Sequence, residues 1–275
     1  METAPNTNNS GANSDSARAR LMTLATAAAD GYRNLSLSAD GGSTDKIAGA
    51  ACWYSSSYVP VFNGAGIFDP HLITRETLSA IEAYFKWRGR PYSVMSLDAL
   101  VPYAARLLLR FNFTEYDAMP AMWLDGPPAI ELRGSNDLWV SRVSTPPHLA
   151  VFRSLLSQVF HLSMSEVNLV LGEKTLQVPT VRHYLGWLDD TPVATATLVL
   201  SGKVAGVWNV GTLAEYRRRG VAAAIMRHIL SDARSLGFQS SMLLASNDGL
   251  SLYARLGYET LSTVRVFVPS RQAYG

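Results

Sequence analysis

The sequence predicts an α/β (α+β) protein with two similar halves in tandem, each a mixed, mostly antiparallel sheet flanked by helices. The first observation is the order of patterns after residue 138, which runs strand, two helices, three strands, helix, strand, helix, strand. The second is that tight turns, "DDT" and "SGK", join the three central strands, as is typical of an antiparallel meander. The third is a weaker form of the same pattern in the first half, which suggests duplication.

The elements of the second half follow from hydrophobic periodicity and turn residues. A strand over "DLWVSRVS" precedes a helix over "PPHLAVFRSLLSQVFHLS", whose apolar residues recur at three and four residue steps, and a short helix around 165–171. The meander strands are "TVRHYLGWL", "PVATATLVL" and "VAGVWNVGT". A helix from about Gly220 to Ser235 ends before Gly237, and "SSMLLAS" is a short buried strand. A last helix is expected to begin at Asn247, a good N-cap residue, before the terminal strand "YETLSTVRVFV".

The first half repeats parts of this order. "RFNFTEYDAMPAMWL" aligns with "RLGYETLSTVRVFV", and each follows a helical segment. Further upstream a strand, a loop and an amphipathic helix recur. That helix starts at about Thr74, a cap residue, and its apolar face holds Leu78, Ile81 and Phe85.

Length and composition limit the class of protein. The chain has 275 residues, 48% of them hydrophobic, which is enough for two domains with cores. Its formal net charge is only +2 and its basic residues are scattered, so no nucleic-acid partner is predicted. There is no apolar run of membrane-spanning length and no secretory pattern at the N-terminus, so we expect no membrane association and a cytoplasmic protein.

Cysteine and other metal-ligating residues exclude further classes. Cys52 is the single cysteine, which excludes an internal disulfide, and it is expected to pack in the core. No cluster of Asp, Glu, His or Cys has the spacing of metal ligands, so no metal site is predicted.

Two breaks in composition divide the chain. Residues 1–15 contain almost no large apolar side chains and are predicted to be a disordered tail. Residues 125–138 hold two prolines and two glycines, and are predicted to be a linker. The expected domains are therefore 16–124 and 139–275.

The stretch "EYRRRGVA" predicts an anion site. The first turn of a helix has backbone N–H groups without intrahelical partners and a partial positive charge, which suits a group of pyrophosphate size. Gly220 and Ala222 lack bulky side chains, so a ligand can approach the backbone, and three arginines precede them. The alternative is a solvated, arginine-rich loop before a core helix. The first half has "FDPHLITRETL" at the corresponding place, with Pro70 and no glycine, so no such site is expected there.

Two motifs resemble the GNAT superfamily of acyl-CoA-dependent N-acyltransferases. Arg217–x–x–Gly220–x–Ala222 opens a helix after a strand, and "ASNDGLSLYARLGYE" follows about 30 residues later, with an asparagine before Leu-Tyr-x-x-x-Gly-Tyr. The resemblance covers about half of the chain, over roughly 139–268. It implies a GNAT fold with acetyl-CoA as cosubstrate, and it makes the first half a degenerate GNAT-like domain.

The resemblance also implies site roles. The backbone around the first turn would hold the cofactor diphosphate, and a strand edge would pair with the pantetheine arm, with the N–H of Val210 facing the thioester oxygen. Asn247 would bind the cofactor arm, and Tyr253 would protonate the departing thiolate, since a phenol with a pKa near 10 is protonated at neutral pH. Alternatively, Tyr253 is a core aromatic and Asn247 only a helix cap. The cofactor-binding residues that the resemblance implies are Asn209, Val210, Gly211, Thr212, Arg217, Arg218, Arg219, Gly220, Val221, Ala222, Ala223, Asn247 and Tyr253.

The general base is not evident. Many GNAT enzymes carry a glutamate on the fourth strand, but residues 191–214 contain no carboxylate. The amine could lose its proton through ordered water, to His183, to Glu166 or to a side chain of the first half, or it could enter neutral. His183 and His228 are more simply explained as structural or solvated.

The predicted function is acetyl-CoA-dependent transfer of an acetyl group to the amine of a small metabolite, by a monomer or homodimer. The first half would line the acceptor cleft, with Trp53, Tyr54 and Tyr58 either facing the cleft or packing in the core. The alternatives are a non-catalytic acyl-CoA-binding regulator, a protein lysine or N-terminal acetyltransferase, and an O-acyltransferase.

Overall fold

The computed structural model describes residues 9–128 and 137–271, with side chains from residue 16 onward. The helices are α1 (Asn9–Leu37), α2 (Arg75–Arg88), α3 (Ala104–Arg110), α4 (Pro146–Phe160), α5 (Met164–Val170), α6 (Val221–Ser235) and α7 (Leu250–Arg255). Short 3-10 turns cover Pro60–Phe62, Pro70–Leu72, Glu173–Gln177 and Ala214–Tyr216.

The strands of the first half are β1 (Ser43–Ile47), β2 (Ala50–Tyr54), β3 (Gly64–Gly66), β4 (Ser93–Leu97) and β5 (Phe113–Asp125). Those of the second half are β6 (Leu138–Arg142), β7 (Val181–Leu188), β8 (Thr191–Ser201), β9 (Val204–Thr212), β10 (Ser240–Leu244) and β11 (Glu259–Pro269). The predicted meander, helices and terminal strand of the second half are all present, with boundaries shifted by a few residues.

Within the described residues, the strands form one continuous sheet in the order β1-β2-β3-β4-β11-β5-β10-β9-β8-β7-β6. The pairs β3–β4 and β9–β10 are parallel and the other neighbours are antiparallel. The predicted mixed, mostly antiparallel architecture flanked by helices is confirmed, but the two halves share this one sheet instead of each forming its own.

The two halves exchange their last strands. Each half ends in the same run, which is three antiparallel strands, a helix, a parallel strand, a helix and a last strand. Yet β11 pairs with β4 of the first half, and β5 pairs with β10 of the second half. The strands β5 and β11 also pair with each other over most of their length. The domain ranges 16–124 and 139–275 stay predictions, because the terminal strand of each range lies in the other half of the sheet. Residues 129–136 of the predicted linker lie outside the described residues.

Helix α1 was not predicted. A disordered tail was predicted to residue 15, but the helix begins at Asn9, and residues 1–8 lie outside the described part of the chain. Leu24, Ala25 and Ala28 of α1 are buried in the core of the first half, while the helix also lies against β8, β9 and β10. Small apolar residues allow this close packing on both halves, so α1 spans the junction between them.

The helix starts follow ordinary capping chemistry. The hydroxyls of Thr74, Thr145 and Ser163 accept backbone N–H groups in the first turns of α2, α4 and α5. Helix α2 matches its prediction, since Leu78, Ile81 and Phe85 are buried and Gly89 ends it with φ +61°.

The sheet of the second half is covered on both faces. Along β7, Tyr184 packs in the core with α6, while Leu185 packs in a separate core with α4. Strand alternation therefore places α6 and α7 on one face, and α4 and α1 on the other. Cys52 is fully buried in the core of the first half, which raises the pKa of its thiol to about 12 and agrees with the expected packing role. Among the described helices, none has the length and apolar composition needed to cross a bilayer.

Candidate active site

A slot opens where β10 ends. The last parallel pair joins Val207 of β9 to Leu243, and the last antiparallel pair joins Leu244 to Ala121 of β5. Beyond that point β9 continues to Thr212 and β5 extends in the same direction, so the two strands face each other without a strand between them. Two strand spacings of about 4.8 Å separate β9 from β5 where β10 lies between them, and a gap of this size admits one extended chain.

A β-bulge shapes the β9 side of the slot. The register between β8 and β9 shifts because Asn209 and Val210 together oppose one residue of β8. Asn209 adopts a left-handed conformation with φ +53°. Its carbonyl oxygen accepts the hydroxyl of Thr195 at 2.8 Å, and its side-chain amide donates to Thr197 Oγ1 at 3.2 Å. Side-chain hydrogen bonds therefore hold the backbone at the predicted acyl position in its bulged form.

His183 completes this polar network under the bulge. Its Nδ1 lies 2.8 Å from Thr197 Oγ1 and its Nε2 lies 2.8 Å from Thr175 Oγ1. Burial lowers the pKa of the imidazole to about 3, so the ring is neutral at pH 7. A group with so low a pKa is a poor general base near neutrality, and the geometry favours the structural alternative for His183.

The start of α6 is open to a ligand. Its first helical bond runs from the N–H of Ala224 to the carbonyl of Gly220, so the three preceding amides have no acceptor inside the helix. Gly220 has φ +78° and caps the helix without a side chain, whereas Thr74 caps the equivalent helix of the first half with its hydroxyl. Of these two helices, α6 carries the predicted motif, and its first backbone amides are not used by a capping side chain.

Arg217, Arg218 and Arg219, which precede α6, have different contacts. Arg217 Nε donates to the carbonyl oxygen of Thr212 at 3.1 Å, which ties the loop to the end of β9. Arg218 has φ +61°, and the Arg219 guanidinium lies over the ring of Tyr216. Within the described part of the chain, none of the three forms an ion pair, so their charge is available to an anion.

The turn before α7 corrects one prediction. Helix α7 does not begin at Asn247, because its N-cap is Gly249 and the hydroxyl and carbonyl of Ser246 accept the Gly249 N–H. Asn247 is exposed and does not cap the helix. Its amide therefore stays available for the ligand role that the resemblance implies.

Tyr253 combines burial with an unengaged hydroxyl. The residue is 8% exposed, and its ring meets Tyr258 edge-on, with centroids 6.1 Å apart. The Tyr258 hydroxyl bonds Ser241 Oγ at 2.6 Å, whereas the Tyr253 hydroxyl has no hydrogen-bond partner among the described residues. Burial raises the pKa of Tyr253 to about 12, so the phenol keeps its proton well above neutral pH.

Aromatic residues of both halves meet on the α1 face. Tyr32 of α1 stacks on Trp53 with ring centroids 4.8 Å apart, and meets Trp208 of β9 edge-on at 4.9 Å. Trp208 directly precedes the bulge. Of the aromatics proposed to face the acceptor cleft, Trp53 packs in the core, Tyr54 is half-buried and Tyr58 is largely exposed. Tyr32 was not predicted as a site residue, because nothing in its local pattern indicates a contact with β9.

The carboxylate of Glu166 forms hydrogen bonds that join the two halves. Its carboxylate accepts the hydroxyl of Ser57 at 2.5 Å and the N–H of Tyr58 at 3.3 Å. This arrangement uses the carboxylate to join α5 to a loop of the first half. In the described ranges, no group of three or more His, Cys, Asp and Glu side chains could hold a metal ion.

Known proteins share this architecture. Residues 153–258 match the model of the Acetyltransferase (GNAT) family. A GCN5-related N-acetyltransferase from Kribbella flavida is similar over 89% of this chain and 95% of its own, at 19% identity and a TM-score of 0.67. Another from Sphaerobacter thermophilus is similar over 80% of this chain and 75% of its own, at 13% identity and a TM-score of 0.58.

A further structure is described as a GCN5-related glucosamine N-acetyltransferase region of a fungal multi-domain β-N-acetylglucosaminidase. It is similar over 80% of this chain and 31% of its own, at 14% identity and a TM-score of 0.55. No curated protein matches the chain.

The fold and the matched segment define the class of protein as an acetyltransferase. The acetyltransferase match lies in residues 153–258, and the fold of the whole chain is that of the similar structures.

Proposed function

We propose that the protein transfers the acetyl group of acetyl-CoA to the primary amine of a small molecule. The observation that carries the proposal is the slot between β9 and β5, which has a helix start with unpaired backbone amides at one end and a bulged strand along its side. A slot one strand wide suits a pantetheine arm laid along Asn209–Thr212. The diphosphate would then lie on the backbone of residues 217–223, and Asn247 would bind the arm from the opposite turn.

Acyl transfer needs a donor for the oxygen of the tetrahedral intermediate. The N–H of Val210 is proposed for this role because the bulge turns it away from the regular ladder. The hydrogen bonds to Thr195 and Thr197 keep the bulge in place before substrate arrives, so little reorganisation is needed in the transition state.

The leaving thiolate needs a proton. Tyr253 is proposed to donate it, because its phenol is protonated at neutral pH and has an unengaged hydroxyl within the described structure. The acceptor amine, after losing one proton to solvent, forms the C–N bond. When the intermediate collapses, the C–S bond breaks, the phenol proton passes to sulfur, and the proton that nitrogen releases returns to the tyrosinate through solvent. A pKa raised to about 12 makes the tyrosinate a strong base, so it regains its proton rapidly.

The elements that cover the sheet on the side of α1 favour a small acceptor. Helix α1 lies across β8, β9 and β10, and Glu166 ties α5 to the loop at Ser57 of the first half. An acceptor must reach the slot past these elements, which suits a compact amine better than a folded protein surface. The similar structure described as a glucosamine N-acetyltransferase region acts on such an amine.

A panel of small primary amines tests the proposal. Thiol release from acetyl-CoA is followed with a chromogenic disulfide, with the Tyr253→Phe variant as control. Amine-dependent release that this variant loses supports the proposal. Release that is equal in the variant and the wild type at every pH would remove Tyr253 from the mechanism.

A second candidate is a non-catalytic acyl-CoA-binding regulator. It is favoured by the absence of a carboxylate from residues 191–214, on the strands where many family members carry their base. It predicts that acetyl-CoA binds while no amine of the panel releases thiol.

A further inference from the structure

The strand facing β9 across the slot belongs to the first half. Because the last strands are exchanged, the residues of β5 that precede Ala121 lie beyond the end of β10. Val207 of β9 pairs with Leu243 of β10, which pairs with Met122 of β5. When β9 and β5 are followed beyond the end of β10, residues 117–120 of β5 lie opposite the bulged part of β9. The first half thus contributes directly to the site.

Side-chain alternation places Asp117 on the α1 face of the slot. Along β5, Met119, Ala121 and Trp123 pack in the core that includes α1, while Met122 and Leu124 pack in the core with α6. Asp117 is two residues before Met119. The irregularity in the β5–β11 register lies between Glu115 and Asp117, so the strand is regular from Asp117 to Met119. Its side chain therefore points to the same face as Met119.

Asp117 has an uncompensated charge. It is exposed, and its Oδ1 accepts the N–H of its own neighbour Ala118 at 2.7 Å. The nearby Arg265 is occupied, with its Nε 2.9 Å from Asp98 and its Nη1 2.9 Å from Glu115. Considering only the described residues, no cation lies within ion-pair distance of Asp117.

Asp117 and β9 approach the same aromatic residue. Burial is the main cause that raises the pKa of Tyr32, and the negative charge of Asp117 on the same face of the sheet adds to it. The Tyr32 ring also contacts Trp208, the residue before the bulge. A carboxylate from the first half and an apolar surface from α1 and β9 thus border one end of the slot.

We propose that Asp117 binds the ammonium group of the acceptor, and that Tyr32, Trp208 and Met119 contact its apolar carrier. The inference rests on the proposed function, because it adds the recognition group for the amine whose acetylation is proposed. It specifies the substrate class as a primary ammonium on a small apolar or aromatic group. It also makes the first half a contributor to acceptor specificity.

Ligand binding tests this inference without turnover. Phenethylamine and its uncharged analogue phenethyl alcohol are titrated into CoA-saturated protein, and binding is followed by calorimetry and by NMR shifts of the Asp117 and Tyr32 amides. We expect phenethylamine to bind and Asp117→Asn to weaken it about 10- to 100-fold, as for a lost hydrogen bond to a charged group. Phenethyl alcohol is expected to bind at least tenfold more weakly than phenethylamine.

The matched control is Glu115→Gln. It removes the same charge two residues away, from a carboxylate that Arg265 already neutralises, and it is expected to leave phenethylamine affinity within twofold. Each variant is also checked for CoA affinity and melting temperature. Asp117→Asn should leave CoA affinity unchanged, because Asp117 lies on the face opposite α6.

The outcomes separate the two proposals. The inference is overturned if phenethylamine does not bind, if phenethyl alcohol binds equally well, or if Asp117→Asn binds phenethylamine as the wild type does. If phenethylamine binds through Asp117 while no amine of the panel releases thiol, the acceptor site stands and the transfer proposal fails. If thiol is released and Asp117→Asn leaves the KM for the amine unchanged, the transfer stands and this inference alone fails.

Discussion

Replacing Gly220 with Asp or with Asn isolates the electrostatic part of cofactor binding. Gly220 has φ +78° at the start of α6, a conformation that costs most residues about 1–2 kcal/mol. Asp and Asn tolerate this conformation better than other residues and have nearly the same shape, so strain and bulk are similar in the two variants. They differ by one negative charge at the proposed diphosphate site.

The expected difference follows from Coulomb's law. With about 6 Å between the carboxylate and each phosphate, and an effective dielectric constant of about 40, one pair of unit charges costs about 1.4 kcal/mol. Two phosphate charges then cost about 3 kcal/mol, which corresponds to roughly 100-fold in Kd. We therefore expect Gly220→Asp to bind CoA about 100-fold more weakly than Gly220→Asn.

Isothermal titration calorimetry with CoA measures this difference, and the melting temperatures of the two variants report any difference in folding. Because the repulsion is partly screened by salt, the difference should shrink between low and high ionic strength. Equal CoA affinity of the two folded variants would place the diphosphate elsewhere and refute the assignment of the α6 start.

Three further predictions concern the acid, the buried imidazole and α1. Tyr253→Phe should lower kcat about 10²- to 10⁴-fold with CoA affinity unchanged, and Tyr258→Phe should not, as steady-state kinetics and calorimetry would show. His183 has a folded pKa of about 3 against 6.5, so its stability contribution is complete above pH 6.5 and is lost as pH falls towards 3. Between pH 7.5 and 5.5, urea denaturation should show wild type losing about 1.4 kcal/mol more than His183→Gln, and equal losses would argue against a buried neutral ring. A Cβ at Gly31 would lie 2.0 Å from Trp208 Cζ2, so Gly31→Ala should lower the unfolding free energy by about 1–3 kcal/mol. Adding Trp208→Phe, which shortens the ring, should restore part of this loss.

Much of the second half could be predicted from sequence. The meander strands, the amphipathic α6 and the glycine at its start are local patterns, because a few neighbouring residues specify each of them. The prediction that Asn247 caps α7 was wrong because local pattern does not choose between neighbouring turn residues. Asn247 and Ser246 are both good turn residues, and only the folded turn decides which of them accepts the backbone N–H.

The remainder of the site could not be predicted locally. The positive φ of Asn209 accompanies a hydrogen bond that Asn209 accepts from Thr195 and one that it donates to Thr197, both on the neighbouring strand. The contact of Tyr32 with Trp208 joins residues far apart in the chain. Hydrophobic periodicity identifies the face of an element that is buried, but it does not identify the partner that buries it.

The sequence by itself determined the order of elements, the helix start suited to an anion, and the family that these motifs indicate. Tertiary structure alone decided that the last strands of the halves are exchanged, so that β5 and not β11 lies beside β10. The physical reason is that strand pairing is satisfied by backbone groups common to all residues, so the local sequence of a strand does not specify its neighbour. The choice between β5 and β11, and with it the placement of Asp117 opposite β9, depends on the packing of the whole sheet.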